Sequence, residues 1–459
     1  MSLRYLSSVC ALVAVIAAEA RGEPLLIVSI DGLHPSHVID AERHGVEIPH
    51  LRPFVADGSF ATGVVGVLPT VTFPSHTTLV TGASPAEHGV HANTPFDPLN
   101  GNRDGWYWYA EDVRVPTLWS AAAASDLTTA SVNWSVTVAN RDIDYLIPEF
   151  WRAVNDEDVK LLRALSRPEG LLERLEAKLG PFVNGYEDTV AADLVRTKFA
   201  VAILREHRPD LMAVHLIALD GTEHRDGPWV ASAHRTLEAI DAMVGELVAA
   251  AEANDPDTAI AIVSDHGFLA THTAVNLRVP FVEVGLITLA AAPAIGTAPT
   301  IADWQAQLWP SGGTAAVVLR NRDDTAVRAR VATLLDELRA DPRNGIAGVL
   351  GATEIERHGA FPNADFVVEF APGFYAGTAL HGELLATATS KGTHGYLPER
   401  PEMHAAFFMK GKRVAARNVG IIDMRQIAPT FAAVLGVGLP HARLPAVDIR
   451  DDRLLSRTD

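Results

Sequence analysis

Three short apolar runs, each closed by an aspartate, constrain this chain more than any other feature. Leu25 to Ile30 leads into Asp31, Leu211 to Leu219 into Asp220, and Ala259 to Val263 into Asp265. Continuous runs of this length read as strands buried on both faces, and Thr128 to Val132 reads as another. Between them, Leu237, Ile240, Val244 and Leu247 recur at helical spacing after Pro228, a good first-turn residue. Strands alternating with helices imply an α/β fold with a mainly parallel sheet. Ligands of such sheets gather at the carboxyl ends of the strands, so the three aspartates are expected to converge. One alone could be a helix N-cap or turn residue. Three together, two of them with a nearby histidine, argue for a site.

Those histidines stand in Asp220-x3-His224 and Asp265-His266, and a further one in Gly392-Thr393-His394-Gly395. The only cysteine, Cys10, lies in the first twenty residues, which read as an export signal: Arg4, an apolar core from Val9 to Ala18, and Ala18-Glu19-Ala20 as a cleavage site. Any metal in the mature chain must therefore use His, Asp, Glu or hydroxyl ligands. A hydroxyl is offered by the run Pro69-Thr70-Val71-Thr72-Phe73-Pro74-Ser75-His76, where Thr70 and Thr72 are both candidates and a helix is expected from about Pro74. A helix start there would present N–H groups and a positive dipole end to an anion. Phosphate diesters resist nucleophiles because their oxygens are negative. Two divalent ions about 4 Å apart overcome this by activating a hydroxyl and neutralising charge at the leaving oxygen. A His/Asp donor mixture without Cys suits Zn²⁺.

The net charge of −18 argues against non-specific nucleic-acid binding. It leaves a phosphate substrate open, since bound cations reverse the field inside a site. Beyond the signal, no segment is apolar for long enough to span a membrane, so a secreted or periplasmic protein is expected. Residues 286–385 differ in texture. An Ala/Pro-rich tract precedes a strand-like Ala315 to Leu319, an amphipathic pattern at Val327, Val331, Leu334 and Leu338, and a second strand, Phe366 to Phe370. The expected organisation is a signal at 1–20, a catalytic domain in two parts at 21–285 and 386–459, and an α+β insertion at 286–385. The insertion could shape substrate access or be a structural flap. The main pattern resumes with strand-like Ala405 to Met409 and Val419 to Ile422, and Gly436 is expected to close a last helix.

The set Asp31, Thr72-Phe-Pro-x-His76, Asn93, Asp220-x3-His224, Asp265-His266-Gly267 and Gly-Thr-His394-Gly-Tyr396 resembles the nucleotide pyrophosphatase/phosphodiesterases of the alkaline phosphatase superfamily. The resemblance runs from about residue 24 to residue 440 and is weakest over 286–385. The fold it implies is an α/β/α sandwich with a mixed sheet. The resemblance implies two Zn²⁺. One would be held by Asp31, Asp265, His266 and the nucleophile Thr72, the other by Asp220, His224 and His394. It implies that Asn93, 21 residues after Thr72, hydrogen-bonds a phosphate oxygen. The reaction implied passes through a phospho-threonine that water then hydrolyses. The family's Cys-rich modules and nuclease-like tail have no counterpart, so the chain reads as a minimal, bacterial-type member.

The substrate is a small phosphodiester or nucleotide in this reading. Phe73 and Trp151 are candidate walls for stacking on a base, each with packing as the plain alternative; Trp106 to Tyr109 read as core or surface aromatics. His76 reads as a packing or supporting residue, His215 as a satisfied core histidine. Phosphonoacetate hydrolysis would need lysines after the nucleophile, and none precedes Lys160. A phosphomonoesterase would want added fixed positive charge, for which no arginine stands out. A non-catalytic protein of this fold would have lost the nucleophile or a ligand, yet all seven positions are filled.

Overall fold

The computed structural model describes residues 22–102, 105–152, 155, 157–290 and 299–450. The expected export signal with Cys10 and the Ala/Pro-rich residues 291–298 lie outside the described residues.

The central sheet is built from β1 (Leu25–Ile30), β2 (Ser59–Phe60), β3 (Thr129–Val132), β4 (Tyr145–Ile147), β5 (Leu211–Leu216), β6 (Ala259–Val263), β7 (Phe407–Lys410) and β8 (Arg417–Asn418). Their order across the sheet is β8-β2-β7-β6-β1-β5-β3-β4. The run from β6 through β1, β5 and β3 to β4 is parallel, and β7 joins antiparallel to β6 and β2. Alternation along β1 explains the layers. Leu26, Val28 and Ile30 face a core shared with Phe199, Ile203 and Leu204 of α2 (Val190–His207) and with Leu237, Ile240, Val244 and Leu247 of α4 (Ala231–Asn254). Leu25 and Ile27 face the opposite core, with Leu79 and Val80 of α1 (Thr72–Thr81) and Phe431 and Leu435 of α5 (Ile427–Leu435). An α/β/α sandwich with a mixed, mainly parallel sheet results. Gly436 ends α5 at φ 71°, a left-handed backbone that glycine adopts at no steric cost.

Three element boundaries differ from the periodicity reading. The second apolar run stops as a strand at Leu216, and Ala218 opens α3 (Ala218–Asp226), so Asp220 lies in the first turn of a helix. The helix expected from about Pro74 starts two residues earlier, at Thr72. Val419 to Ile422 is not one strand: β8 ends at Asn418, and a separate strand runs over Ile421–Asp423. Apolarity alone does not mark where a buried strand hands over to a buried helix.

A second body of structure follows β6. Strands Ala306–Ser311, Thr314–Leu319, Phe366–Phe370 and Ile346–Gly351 form a four-stranded sheet in that order, covered by helix Thr325–Ala340. Its core gathers Val317, Val331, Leu335, Val368 and Phe370 with Val275, Leu277 and Phe281 before residue 286 and Tyr396 after residue 385. Strand Leu269–Val275 pairs with Gly373–Ala376, Leu385–Thr387 and Gly392–Thr393, which ties this body to the stretch that delivers His394.

Candidate active site

The topology brings the three aspartates together at one end of the sheet. Asp31 follows β1, Asp220 lies just past β5, and Asp265 is two residues past β6. Asp31, Thr72 and Asp265 are all buried. His266 and His394 stack at 3.7 Å between ring centroids.

Asp31, Asp265, His224 and His394 each have one atom tied to the protein and one left over, and both ring nitrogens of His266 lack a hydrogen-bond partner. Asp265 Oδ1 accepts from the Gly32 and His266 N–H groups at 3.1 Å each, whereas Oδ2 is buried without a hydrogen-bond partner. Asp31 Oδ2 meets His215 Nε2 at 3.0 Å, and Oδ1 is left unpartnered. Asp220 Oδ1 is also unpartnered. His224 Nδ1 is 2.9 Å from the Gly392 carbonyl, and His394 Nδ1 is 3.1 Å from the Thr70 carbonyl. A carbonyl only accepts, so both Nδ1 atoms carry the hydrogen and both Nε2 lone pairs are free.

The leftover atoms gather in two groups that share His266: Asp31 with Asp265 and His266, and Asp220 with His266 and His394. His224 Nε2 and His394 Nε2 lie 3.4 and 3.6 Å from Asp220 Oδ1. His266 Nε2 lies 3.5 Å from Asp31 Oδ1 and 3.0 Å from Asp265 Oδ2. None of these contacts has hydrogen-bond geometry. Two ligands about 2.0–2.1 Å from one tetrahedral ion stand about 3.3 Å apart, so the spacing matches donors sharing a cation. Buried polar atoms without partners are costly unless something engages them. The donor set therefore suits bound metal, with His224 outside both groups apart from its 3.4 Å approach to Asp220.

The electrostatics agree. Burial, and then the charges of Asp265 and Asp220, push the Asp31 carboxyl well above its ordinary range. Burial pushes the His266 imidazole down, but Asp265, Asp31 and Asp220 outweigh it and hold it at about 9. Burial, with His266 and His224 beside it, drives His394 well below its ordinary value, which keeps its Nε2 a lone-pair donor. The protein alone thus packs like charges together, which bound cations would relieve.

Thr72 opens α1 with no side-chain cap at its N-terminus, leaving the dipole end available to an anion. The Phe73 N–H donates to Asn93 Oδ1 at 2.9 Å. That bond fixes the amide so that the Asn93 NH₂ is its free donor end. The alternative hydroxyl, Thr70, is already committed: it donates to the Tyr396 carbonyl at 2.8 Å and accepts from Gly395 N–H at 3.1 Å.

The two proposed stacking aromatics are placed differently. Phe73 is fully buried, its ring 5.2 Å from Trp106 and 5.6 Å from Trp108. It packs under the loop and presents no face to a base, which corrects that expectation. Trp151 is half-buried and meets Trp106 at 5.0 Å and Trp108 at 4.4 Å, edge to face. Trp106 is likewise half-buried, and the Tyr107 N–H donates to the Asn93 carbonyl at 3.0 Å. The Trp106–Trp151 corner therefore lies beside Asn93. Of the remaining histidines, His34 holds the Pro401 carbonyl, His88 contacts Thr78 and His272 pairs with Thr273. The Lys391 side chain is exposed.

Two site features escaped the sequence reading. The small body clamps His394: Gly313 N–H donates to the His394 carbonyl at 2.8 Å, and Thr314 Oγ1 donates to the Gly395 carbonyl at 2.8 Å. Glu223, between Asp220 and His224 in α3, is fully buried with both carboxyl oxygens unpartnered, and His37 Nε2 approaches only to 3.2 Å. Burial, then the charge of Asp220, raises its carboxyl well above the ordinary range. A carboxyl raised on folding favours the fold at pH below its unfolded value, near 4.3, and loses that contribution as pH rises toward the folded value. Glu223→Gln, which does not titrate, is expected to stabilise the metal-free protein by about 1–3 kcal/mol at pH 8 and hardly at pH 4.5. Thermal unfolding at both values checks this; equal shifts at the two would refute it.

This sandwich, with two groups of half-engaged Asp and His donors at its strand ends and a hydroxyl at a helix start, defines a metallohydrolase site of alkaline phosphatase-like fold. The chain belongs to the type I phosphodiesterase / nucleotide pyrophosphatase family, whose model matches residues 25–397. Among curated proteins it is similar to rat (Rattus norvegicus) ectonucleotide pyrophosphatase/phosphodiesterase family member 1, 23% identical over 260 residues, covering 54% of this chain and 24% of that protein. It is also similar to bovine (Bos taurus) bis(5'-adenosyl)-triphosphatase ENPP4, 35% identical over 128 residues and 26% of each chain. The chain thus matches about a quarter of the length of these relatives. Among solved structures, human ectonucleotide pyrophosphatase/phosphodiesterase 5 superposes with a TM-score of 0.61 at 17% identity, over 92% of this chain and 96% of that one. An inactive murine form of the same protein, in complex with AMP, superposes with a TM-score of 0.60.

Proposed function

We propose that this chain is an exported hydrolase that cleaves phosphodiester or phosphoanhydride bonds of nucleotides or related small diesters, with Thr72 as nucleophile. The observation that carries it is the pairing of free donor atoms. Asp31 Oδ1, Asp265 Oδ2 and His266 Nε2 form one group, linked to the Thr72 helix through His76, whose Nδ1 lies 2.8 Å from the Thr72 carbonyl and 3.8 Å from Asp265 Oδ2; Asp220 groups with His266 and His394, and His224 Nε2 lies 3.4 Å from Asp220 Oδ1. These two groups would hold two Zn²⁺, which supply charge neutralisation and a lowered hydroxyl pKa at the phosphate. The family matches and the AMP complex of a structural neighbour favour a nucleotide-type substrate.

The chain's own residues account for the rest of the reaction. Thr72 Oγ1 forms a bond to phosphorus, the bond to the leaving oxygen breaks, and that oxygen takes up a proton. Asn93 donates its NH₂ to a non-bridging oxygen, and the start of α1 faces the same anion. A water oxygen then bonds to phosphorus, the Thr72–phosphorus bond breaks, and the Thr72 hydroxyl regains its proton. The buried setting, with Thr72 only 8% exposed, limits bulk water and strengthens each charge contact.

The test is a substrate panel on the zinc-loaded protein: an aryl nucleotide diester, an aryl phosphate monoester, a choline phosphodiester and phosphonoacetate. The nucleotide diester is expected to have the highest kcat/KM, by at least tenfold over the monoester. A preference for the monoester would overturn the diesterase reading. Preference for the choline ester would keep the chemistry and remove the nucleotide.

A further inference from the structure

We propose that His215 is a positioning residue: it fixes Asp31 so that Oδ1, and not Oδ2, faces the cation site. This inference rests on the function proposed above.

His215 lies in β5, in register with Ser29 of β1, two residues before Asp31. It is completely buried. Its Nε2 lies 3.0 Å from Asp31 Oδ2. Its Nδ1 lies 3.1 Å from the Asn133 carbonyl, and Asn133 Nδ2 returns a bond to the His215 carbonyl at 3.3 Å. Asn133 therefore grips the residue at ring and backbone together, which leaves the ring one orientation. Glu149 Oε2 stands a further 3.6 Å from Nδ1 and is itself held by Ser135 Oγ at 2.5 Å.

The loop that provides these partners is strained. Asn133 has φ 60° and Val136 has φ 58°. For a β-branched residue that conformation is unfavourable and survives only where its surroundings impose it. The strain accompanies a loop whose polar groups, Asn133 and Ser135, both serve the His215 contact.

The need for such a device follows from the ligand. The last torsion of an aspartate is broad and two-fold, so nothing intrinsic decides which oxygen faces a cation. Asp265 solves this with two backbone N–H donors on Oδ1. On Asp31, His215 does this: both its ring nitrogens face oxygens that only accept, so both carry hydrogen and Nε2 donates to Oδ2. Groups that orient a metal ligand from behind typically change metal affinity by about 10–100-fold when removed.

The test compares His215→Leu, which removes the donor, with His215→Gln, whose amide can still donate to Asp31. Zinc content and the rate of zinc transfer to a chromogenic chelator are measured on the full-length protein. The leucine variant is expected to lose one of two ions about 10–100-fold more readily, with the second unchanged, and the glutamine variant to stay within a few-fold of wild type. Unchanged zinc retention in the leucine variant, or equal loss of both ions in both variants, overturns the proposal. If the leucine variant does not fold, His215→Met takes its place. If neither apolar variant folds, the role is structural and the proposal also falls. A wild-type protein that binds no zinc would overturn the proposed function as well as this inference; two ions in wild type with unaffected variants would overturn this inference alone.

Discussion

Thr72→Ala is expected to leave the fold and both cations in place and to lower kcat by about 10⁴-fold or more, the scale seen when a catalytic nucleophile is removed. The structural contacts of Thr72 run through its backbone. Its carbonyl meets His76 Nδ1 at 2.8 Å, and the following N–H is held by Asn93. Alanine keeps both and is a good helix former. Deleting the hydroxyl should therefore not disturb α1. The control is Thr70→Val, the other candidate hydroxyl. Thr70 already spends its side chain on Tyr396 and Gly395, so its loss should loosen the His394 loop and weaken metal binding before it touches chemistry. Steady-state rates on an aryl nucleotide diester, with zinc measured on the same samples, separate the two. An alanine variant with two zinc ions and activity within tenfold of wild type would exclude Thr72 as nucleophile.

Gly313→Val is expected to cost at least about 3 kcal/mol of stability, at the upper end of overpacking penalties, and to weaken the Asp220/His224/His394 cation by about 10–100-fold. A Cβ at this position would lie 2.1 Å from Cγ of the Tyr396 ring, far inside contact distance. The ring cannot swing aside, because it is fully buried and its hydroxyl donates to the Phe374 carbonyl at 2.7 Å. Relief must come from the backbone, and the backbone there is bonded to His394. Chemical denaturation and zinc stoichiometry read the two effects. Wild-type stability with two retained ions would show that the turn is not coupled to the site.

Much of the site was legible in the sequence because its chemistry is local in the chain. An aspartate at the end of a buried run can be placed from periodicity alone, and Asp31 and Asp265 are where that argument puts them. Asp220 was expected at a strand end; it lies instead in the first turn of α3, where a spacing of four brings it to one face with His224. What was not legible depends on long-range packing. His215 reads as one more member of an apolar strand until β1 is paired beside it. Phe73 next to the nucleophile suggests a binding face, but Trp106 and Trp108, more than thirty residues away, cover it. The clamp on His394 joins residues 313 and 394, and no motif spacing reports a hairpin tip touching a ligand loop. In the fold, strand interiors were recoverable and their ends were not, because the change from β5 to α3 occurs inside one unbroken apolar stretch.

The clamp also bears on how such a protein could diversify. Among the described residues, the small body's hydrogen bonds to His394 and Gly395 come from the tip of one hairpin, Gly313 and Thr314. Another insert could replace the small body and keep the ion site if it copied that tip together with the seat for the Tyr396 ring and the carbonyl that holds its hydroxyl. Chimeras that graft foreign inserts around a retained Ser311–Thr314 turn offer a route to new substrate preferences without rebuilding the catalytic centre.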